Sequence, residues 1–368
     1  MKILIDAHVF DGKFQGTRTY IKGLYNVLIK RNPNWTFYFI SNDKRNIINE
    51  FTNLGNVIFL EYRFKGALSR LLFELPYLIR KFNIDYSHFQ YISPFLKFGK
   101  YIITTHDILF EEQRFKKYFP KSYIYTKGPL FRFSAKKADI LLTVSNYSKD
   151  QIHDLYNIPK DKIGITPNGV DTLLFKSFME NKTDEDNQNK RKNIIYVSRI
   201  EPRKNHISLL KAYINLKLYE KGYHLIFVGS YDLQSKSLDK YIELNKGIFD
   251  TYLHIYSNTS EFDLLNLYYN SELVVYPSLA EGFGIPPLEG AILNKKVVCS
   301  SLTAMSEFDF FSYHVNPLKK NDLERVINKA LKDKNYPYNN IKEIVLKKYT
   351  WENSAIEFEK FIDNKALL

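Results

Sequence analysis

The chain of 368 residues has little cysteine, and it contains no long apolar run. Its single cysteine, Cys299, excludes a disulfide bond within the chain, and the valines before it predict a buried strand. Because no run of about eighteen apolar residues occurs, we expect no helix that spans a membrane. The opening segment Met1–His8 contains an early acidic residue and is typical of a short strand, not of a signal peptide. These absences predict a cytoplasmic protein.

Two kinds of sequence motif are also missing. No Gly-x-Gly-x-x-Gly pattern follows the first predicted strand, which argues against an NAD-dependent enzyme. The net charge is +13, but no motif of a nucleic-acid-binding fold accompanies it, so we expect no nucleic-acid partner. The hydrophobic content of 45% and the charged content of 25% are ordinary for a globular protein. A chain of this length is expected to form two domains.

The positive charge is concentrated in the first half of the chain. Residues 1–175 carry 26 Lys and Arg against 15 Asp and Glu, whereas residues 176–368 carry 27 against 25. The densest part is Arg114–Lys137, here called the basic segment, where cations alternate with Tyr and Phe. Three interpretations stay open: a solvated helix face, a surface for anionic lipid headgroups, or a surface for an anionic acceptor. The cations are Arg114, Lys116, Lys117, Lys121, Lys127, Arg132, Lys136 and Lys137.

Short apolar runs alternate with amphipathic segments in both halves, which predicts two doubly wound α/β domains. Predicted strands are Lys2–Asp6, Thr36–Ser41, Val57–Leu60, Tyr101–Thr105, Ile140–Val144, Asn193–Val197, Leu225–Val228 and Leu273–Tyr276. Predicted helices are Tyr20–Arg31, Leu68–Phe82, Ser148–Tyr156, Ser208–Tyr219 and Glu261–Asn270. The polar stretch Met179–Lys192 is predicted to be a linker or a surface loop. We place the first domain at residues 1–175 and the second at residues 176–351.

One of the predicted helices has an apolar stripe with a proline inside it. The stripe consists of Leu68, Leu71, Leu72, Leu75, Leu78, Ile79 and Phe82. Its helical spacing favours packing against the core of the domain over insertion into a membrane. Pro76 is expected to kink this helix.

The most informative segment is Glu281–Gly290, which follows the apolar run Leu273–Pro277. The run is typical of a buried parallel strand, and the prolines after the glycines are typical of the first turn of a helix. We place Glu281 in the loop and Glu289 in that first turn, so that both lie at the carboxyl end of a sheet, where open α/β folds bind ligands. Carboxylates there accept hydrogen bonds from sugar hydroxyls, and helix amides bind phosphate. The competing explanation is a loop glutamate beside a helix-capping glutamate.

Two cations follow another predicted strand end. Arg199 and Lys204 lie five residues apart in a turn that contains a proline. Fixed cations stabilise the charge that grows on a diphosphate leaving group, and both side-chain types suit phosphate. The alternative is a pair of surface cations beside Arg203. We expect Arg203 itself to face solvent.

Two residues of the first half are further candidates. His106 follows a predicted strand, where a histidine can donate to a sugar hydroxyl, orient it or move a proton. The alternative is that His106 only satisfies nearby backbone groups. Gly16 precedes the first predicted helix, and its missing side chain lets a diphosphate approach the helix amides. A glycine in an ordinary turn is the competing explanation there.

Six sequence motifs, together with their order and spacing along the chain, resemble those of the retaining GT-B glycosyltransferases of family 4. The segment Glu281–Gly290 is similar to the donor-site motif of that family. The other matching segments are Gly16–Tyr20, Thr105–Asp107, Leu142–Ser145, Thr166–Asp171 and Ser198–Asn205. Two departures stand out. Thr17 and Arg18 occupy positions where the family often has a second glycine, and Ser198 occupies a position where glycine is usual.

The resemblance implies an α/β protein of the GT-B fold, in which two Rossmann-like domains face each other across a cleft that holds the site. A C-terminal helix at about residues 352–368 would cross back to the first domain. The implied catalytic residues are His106, Arg199, Lys204 and Glu281. The implied donor-binding residues are Gly16, Thr17, Arg199, Lys204, Glu281, Phe283, Gly284, Ile285 and Glu289. In this scheme Glu281 binds the transferred sugar, Glu289 binds the ribose, and His106 positions the sugar and stabilises charge.

The resemblance also implies a hexosyltransferase of surface glycan assembly. It would move a hexose, such as mannose, from a nucleotide diphosphate sugar to a growing glycan or a lipid-linked acceptor. GDP-mannose is favoured by the similarity to bacterial mannosyltransferases, and a UDP-sugar is the alternative. A non-catalytic nucleotide- or glycan-binding protein on the same fold is the competing class.

We expect no cofactor and no metal ion. The acidic triplet Asp184–Asp186 imitates the metal-binding Asp-x-Asp motif of a different glycosyltransferase fold, but no strand precedes it to position an ion. A peripheral contact with an anionic membrane at the inner face is the remaining expectation. The residues predicted for an acceptor or membrane surface are Arg114, Lys116, Lys117, Lys136 and Lys137.

Overall fold

A computed structural model of the chain describes residues 1–12, 15–51, 54–64, 66–182, 192–233 and 235–366. The chain divides into two compact units. The first comprises Met1–Gly169 and Trp351–Leu368, and the second comprises Val170–Thr350. The boundary that the sequence predicted, between residues 175 and 176, falls within the helix Thr172–Glu180. Most of the predicted linker and the whole of Asp184–Asp186 lie outside the described residues.

The first unit is built on a parallel sheet of seven strands. They are β1 (Lys2–Asp6), β2 (Thr36–Ser41), β3 (Val57–Glu61), β4 (Tyr86–Gln90), β5 (Lys100–Thr104), β6 (Ile140–Thr143) and β7 (Ile163–Ile165). Their order in the sheet is β3-β2-β1-β4-β5-β6-β7. The five predicted strands are confirmed within one residue at their ends. The other two, β4 and β7, escaped prediction because the first carries Ser, His and Gln and the second is only three residues long.

Helices cover the sheet of the first unit. The α-helices are Gly16–Arg31, Arg45–Ile48, Ala67–Ser69, Leu75–Lys81, Lys121–Lys137, Asn146–Tyr156 and Trp351–Ala366. The C-terminal helix packs on Gly16–Arg31. Gly23 lies at that contact, because a Cβ at this position would come within 2.0 Å of the Trp351 indole. The missing side chain therefore allows the two helices to approach closely.

The apolar stripe predicted as core packing is only partly buried. Leu71, Leu75 and Leu78 are buried, but Leu68 is 69% exposed and Leu72 is 37% exposed. The reason is a π-helical stretch, Arg70–Glu74, between the two α-helical pieces. The wider turn shifts the residues before it out of the helical pattern that the sequence suggests. Pro76, expected to kink the helix, lies directly after this stretch in the first turn of the α-helix Leu75–Lys81.

The second unit repeats the same plan with six parallel strands. They are β8 (Asn193–Val197), β9 (His224–Val228), β10 (Leu253–Tyr256), β11 (Leu273–Tyr276), β12 (Lys296–Ser300) and β13 (Tyr313–Val315). The order is β10-β9-β8-β11-β12-β13. The α-helices are Thr172–Glu180, His206–Asn215, Lys236–Leu244, Lys246–Tyr252, Glu261–Tyr269, Ile285–Ile292, Asp322–Lys332 and Tyr338–Lys348. Cys299 is fully buried in β12, as predicted.

In both sheets the first strand is central, with the next two strands on one side and the fourth on the other. The strand order therefore reverses at a topological switch point in each sheet. This point lies between the neighbouring strands β1 and β4 in the first unit and between β8 and β11 in the second. This is the doubly wound arrangement that the sequence predicted, and each unit is Rossmann-like. Ligands of such sheets bind at the carboxyl ends of the strands beside the reversal. Within the residues described, we find no helix that is both long and apolar enough to cross a membrane.

Candidate functional site

The segment after β11 has the loop-to-helix form that its glycines and prolines predict. Gly284 has φ of +111° and precedes the helix Ile285–Ile292, whose first turn contains Pro286. Glycine adopts this left-handed conformation without strain, and proline fits the first turn because the amide there needs no partner. One detail of the prediction is wrong. Because the helix begins at Ile285, Glu289 lies in its second turn and not in its first.

Glu281 and Lys204 form a buried ion pair at the carboxyl ends of β11 and β8. The Lys204 Nζ lies 2.5 Å from the Glu281 Oε1, and each residue is only 7% exposed. The Tyr276 hydroxyl donates to the same carboxylate oxygen over 3.1 Å. The Glu281 backbone amide donates to the Thr303 hydroxyl over 2.9 Å, which ties down the loop. The structure thus brings together two of the predicted site residues.

The charges around Glu281 decide its ionisation. Burial by itself would raise the pKa of the Glu281 carboxyl, but the charges of Lys204 and Arg203 outweigh burial and lower the pKa to about 2. Burial also lowers the pKa of Lys204, and the charge of Glu281 opposes that shift. Glu281 is therefore a carboxylate at neutral pH. It can accept hydrogen bonds but has no proton to give.

Arg203 does not face solvent, so the sequence-based expectation for this residue is wrong. It is 7% exposed, and its guanidinium lies 2.5 Å from Glu201 and 3.3 Å from Glu281. It also donates to the Ala280 carbonyl. The two carboxylates and the carbonyl together satisfy the buried guanidinium, as burial of a charge requires. Arg203 thereby helps to hold Glu281 in place.

Arg199 is the accessible cation beside this buried cluster. Its side chain is 41% exposed, and its guanidinium lies 2.6 Å from Asp232 and 3.8 Å from Glu201. The preceding Ser198, which stands where the resembled family usually has glycine, lies with its hydroxyl 3.3 Å from the His206 ring. An exposed arginine next to a strand end can receive an anionic group without large rearrangement.

Glu289 differs from Glu281 in its ionisation. The Tyr268 hydroxyl donates to Glu289 over 2.9 Å. Burial raises the pKa of the Glu289 carboxyl to about 7, the charge of Glu261 adds to this shift, and the hydrogen bond from Tyr268 opposes it. Near neutral pH the carboxyl is therefore divided between its protonated and ionised forms.

His106 lies at the carboxyl edge of the sheet in the first unit. It is 7% exposed, and its Nε2 lies 2.7 Å from the Gln90 Oε1. The ring of Tyr20 meets it edge-on with centroids 4.9 Å apart. Burial lowers the pKa of His106 to about 3, so the ring is neutral at physiological pH. A neutral ring can position a hydroxyl group, and the part of His106 in charge stabilisation stays a prediction.

Gly16 and Thr17 are the first two residues of the helix Gly16–Arg31. Gly16 is exposed, and a Cβ built there would meet no described atom within 4 Å. The side chain of Arg18, at a departure from the family pattern, pairs with Glu50 over 2.7 Å. The contact of Gly16 and Thr17 with a donor remains a prediction.

The basic segment consists of a short 3-10 turn, Lys116–Tyr118, and the helix Lys121–Lys137. Most of its cations are exposed, namely Arg114, Lys116, Lys117, Lys121, Arg132 and Lys136. Lys137 differs, because its ammonium donates to the carbonyls of Pro94 and Phe95. Burial lowers the pKa of Lys137, and the nearby Lys97 adds to that shift. Lys137 is therefore held by backbone carbonyls, and Arg114 is held by Glu112 and by the Tyr147 hydroxyl, 2.7 Å away.

Sequence reasoning did not single out two residues that complete these arrangements. Gln90 lies on a strand without an apolar pattern, and Glu201 lies within the motif Ser198–Asn205, where its contacts with Arg203 and Arg199 appear only in the structure. In the part of the chain that the structure describes, no group of three or more His, Cys, Asp and Glu side chains could hold a metal ion, and independence from metal stays a prediction.

The fold and the site together define a class. Two Rossmann-like units, with a buried Glu-Lys pair and an accessible arginine at one sheet edge, agree with the GT-B arrangement that the sequence motifs resemble. The family profile described as "Glycosyl transferases group 1" matches residues 177–347, and the profile "Glycosyltransferase Family 4" matches residues 14–173. The chain belongs to the family 4 glycosyltransferases.

Individual proteins show the same relationship. The O-antigen chain mannosyltransferase RfbU of Salmonella typhimurium is 32% identical over 237 residues, which cover 60% of this chain and 62% of that protein. The chain thus spans less than two thirds of the length of RfbU. The O-antigen chain mannosyltransferase B of Escherichia coli is 27% identical over 265 residues, covering 66% of this chain and 68% of that protein.

A solved structure shows the fold over the full length. The crystal structure of Anabaena Alr3699/HepE in complex with UDP-glucose has a TM-score of 0.72 with this chain. The match covers 100% of both chains at 15% identity. At that identity the likeness shows the fold and carries no substrate assignment.

Proposed function

We propose that this chain is a retaining hexosyltransferase that takes a hexose from a nucleotide diphosphate sugar. The observation that carries the proposal is the cluster at the carboxyl ends of β8 and β11. It presents one accessible cation, Arg199, and one buried cation, Lys204, beside an ionised carboxylate, Glu281. A sugar diphosphate offers the matching groups, since its phosphates need cations and its hydroxyls need an acceptor.

Arg199 and Lys204 would act on the leaving group. As the bond between the sugar C1 and the diphosphate oxygen breaks, negative charge grows on that oxygen, and preorganised cations stabilise it. The acceptor oxygen forms the new bond to C1 on the same face, and its proton passes to the leaving phosphate. The enzyme then needs no attacking carboxylate. For this reason the separation rule for the two carboxylates of glycosidases does not apply to Glu281 and Glu289.

We propose GDP-mannose as the donor and a growing surface glycan, free or lipid-linked, as the acceptor. The support is that the relatives RfbU and mannosyltransferase B are both O-antigen chain mannosyltransferases by name. A UDP-sugar is the alternative donor. In this proposal Glu289 accepts hydrogen bonds from the ribose, which both nucleotides share, so this carboxyl does not distinguish the two donors.

A panel of sugar nucleotides tests the proposal. Saturating the protein with its donor at about 100 times the dissociation constant should stabilise it by about 2.7 kcal/mol and raise its melting temperature. The donor that stabilises the protein should then be hydrolysed slowly or transferred to an acceptor glycan. NMR of the product should show the same anomeric configuration as in the donor. Binding without hydrolysis or transfer would instead favour a non-catalytic nucleotide-binding protein, and inversion at C1 would contradict a retaining reaction.

A further inference from the structure

The hydrogen bond between Gln90 and His106 has a defined direction. The Gln90 Oε1 lies 2.7 Å from the His106 Nε2, and an amide oxygen can only accept. The Nε2 must therefore carry the hydrogen. Because burial keeps the pKa of His106 at about 3, the ring carries one hydrogen at neutral pH. The other ring nitrogen, Nδ1, is then unprotonated and can only accept.

The amide of Gln90 is itself held in this orientation. Its Nε2 lies 3.1 Å from the Nε2 of His88, which is fully buried. Burial lowers the pKa of His88 to about 3, and the charge of His106 adds to this shift. If the Nε2 of a neutral His88 accepts from the Gln90 amide, it can also accept from the Thr104 hydroxyl 2.8 Å away, and the Nδ1 then donates to the Tyr25 hydroxyl, 2.7 Å away. Tyr25, His88, Gln90 and His106 thus form one buried chain of hydrogen bonds.

Aromatic rings fix the plane of the His106 imidazole. Tyr20 meets it edge-on at 86°, and the ring centroid of Tyr91 lies 5.4 Å away on a tilted approach. The ring plane and the proton position are therefore set by different neighbours. Among the residues that the structure describes, none forms a hydrogen bond with the Nδ1 of His106. The Nδ1 thus remains available to a ligand.

We propose that Gln90 is a positioning residue that holds His106 in the Nε2–H tautomer, so that the His106 Nδ1 accepts a hydrogen bond from a sugar hydroxyl. The inference rests on the proposed function and makes it more specific. His106 acts neither as a cation nor as a hydrogen-bond donor to the sugar. The hydroxyl belongs either to the transferred hexose or to the acceptor glycan, and the two sources give different kinetics.

The tautomer can be measured without any substrate. In protein labelled with 15N-histidine, long-range 1H–15N correlation spectra distinguish protonated from unprotonated ring nitrogens, and His106→Asn assigns the His106 signals by their loss. The wild-type spectrum should show His106 with a protonated Nε2 and an unprotonated Nδ1. Gln90→Leu should give a mixture of both tautomers, because leucine offers no acceptor. Gln90→Glu should protonate both nitrogens, because the carboxylate stabilises the imidazolium.

Activity supplies the second readout. Losing the group that sets a histidine tautomer can lower kcat by several orders of magnitude, and we expect a loss of at least about ten-fold in Gln90→Leu and Gln90→Glu. If the hydroxyl belongs to the transferred hexose, the rate of donor hydrolysis without acceptor should fall as well. If the hydroxyl belongs to the acceptor, only the rate of transfer should fall. The matched controls are Gln113→Leu and Gln113→Glu at an exposed glutamine, which should leave the His106 spectrum and the activity unchanged.

Three results would overturn the proposal. They are a wild-type His106 protonated on Nδ1, a tautomer that does not change in Gln90→Leu and Gln90→Glu, and normal kcat in a variant whose tautomer has changed. A purely structural role for Gln90 would lower the melting temperature but leave both the tautomer and the kcat of the folded fraction unchanged. If the wild-type protein used no sugar nucleotide while its spectrum showed the Nε2–H tautomer, the proposed function would have failed and the role of Gln90 in fixing the tautomer would stand.

Discussion

Lys204 and Glu281 bind each other across 2.5 Å, although in the proposed function Lys204 binds the diphosphate and Glu281 binds the sugar. A donor phosphate must therefore compete for the lysine with a buried carboxylate. Arg203 holds the same carboxylate from a second direction over 3.3 Å. The site is preorganised by its own opposite charges, and removing either partner changes stability as well as chemistry.

Replacing each of the two proposed phosphate-binding cations by alanine should lower activity in both cases but lower stability in only one. Arg199→Ala should lower kcat/KM by about two orders of magnitude, because it removes a charge partner of the leaving group. Arg199→Ala should lower the free energy of unfolding by less than about 1 kcal/mol, since the exposed ion pair with Asp232 contributes little to stability. Lys204→Ala should lower kcat/KM similarly and also cost about 3 kcal/mol of stability, because it leaves a buried carboxylate less compensated.

Kinetics with the identified donor and urea unfolding measure these two effects separately. The matched control for a lost exposed pair is Arg45→Ala, which removes a contact with Asp43 at the surface. That control should leave both quantities nearly unchanged. Near-normal turnover in the double variant Arg199→Ala/Lys204→Ala would contradict the assignment of these cations to the diphosphate.

Arg203→Leu should destabilise the protein by about 3 kcal/mol, although sequence reasoning placed this residue in solvent. The substitution leaves Glu201 without a guanidinium partner 2.5 Å away and removes one of two cations from Glu281. Urea unfolding gives the change, and Arg45→Leu at the exposed pair with Asp43 is the control. A loss under about 1 kcal/mol would show that the contacts of Arg203 contribute no more than a surface ion pair.

Donor binding should depend on pH through Glu289. The pKa of this carboxyl is raised to about 7, so it is increasingly protonated as the pH falls below 7, and a neutral carboxyl accepts hydrogen bonds from ribose hydroxyls more weakly than a carboxylate does. Between pH 8 and pH 6, the dissociation constant for the sugar nucleotide should rise by up to about ten-fold. Isothermal titration measures it.

Glu289→Gln is the control for that pH dependence. Glutamine keeps the size of the side chain and does not titrate, so the variant should bind more weakly at pH 8 and show little change down to pH 6. If the dissociation constant of Glu289→Gln changed with pH as much as that of the wild type, the titrating group would be a different residue.

Donor turnover should not need a divalent metal ion. In the proposed reaction, Arg199 and Lys204 balance the diphosphate charge that a metal balances in other enzymes. The rate in excess EDTA should match the untreated rate. A rate abolished by EDTA and restored by magnesium or manganese would show that a metal site exists, with Asp184–Asp186 as its first candidate.

The basic segment should bind anionic membranes, and the binding should weaken as salt rises, because charges beyond a Debye length of about 8 Å are screened at physiological ionic strength. The informative variant replaces Lys116, Lys117 and Lys136 with Glu, since these side chains are exposed. Lys137 is left intact because it donates to two carbonyls. Co-sedimentation should show loss of binding to anionic vesicles.

The matched control for the vesicle experiment carries the same change in charge on the second unit. Lys332, Lys334 and Lys348 are exposed there, and replacing them with Glu should leave membrane binding intact. Equal recovery with neutral and anionic vesicles would favour a soluble acceptor. An equal loss in both triple variants would indicate that net charge alone, and not the basic segment, causes the binding.

The alternation of apolar runs with amphipathic segments was enough to predict two doubly wound units, because strand and helix periods depend on local spacing. The loop-to-helix form of Glu281–Gly290 could also be predicted from sequence, since glycine permits backbone conformations that other residues avoid and proline fixes φ. The same local logic located Arg199, Lys204 and His106 at strand ends. These features need no knowledge of distant contacts.

Only the tertiary structure decided which side chains are buried and what they contact. Arg203 is buried because Glu281, 78 residues further along the chain, meets it. The hydrogen-bond partner of His106 is Gln90, which belongs to a strand without an apolar pattern. The different pKa values of Glu281 and Glu289 depend on the cations that reach one of them and not the other. Charge and hydrogen-bond partners are set by proximity in space, and sequence spacing does not report that proximity.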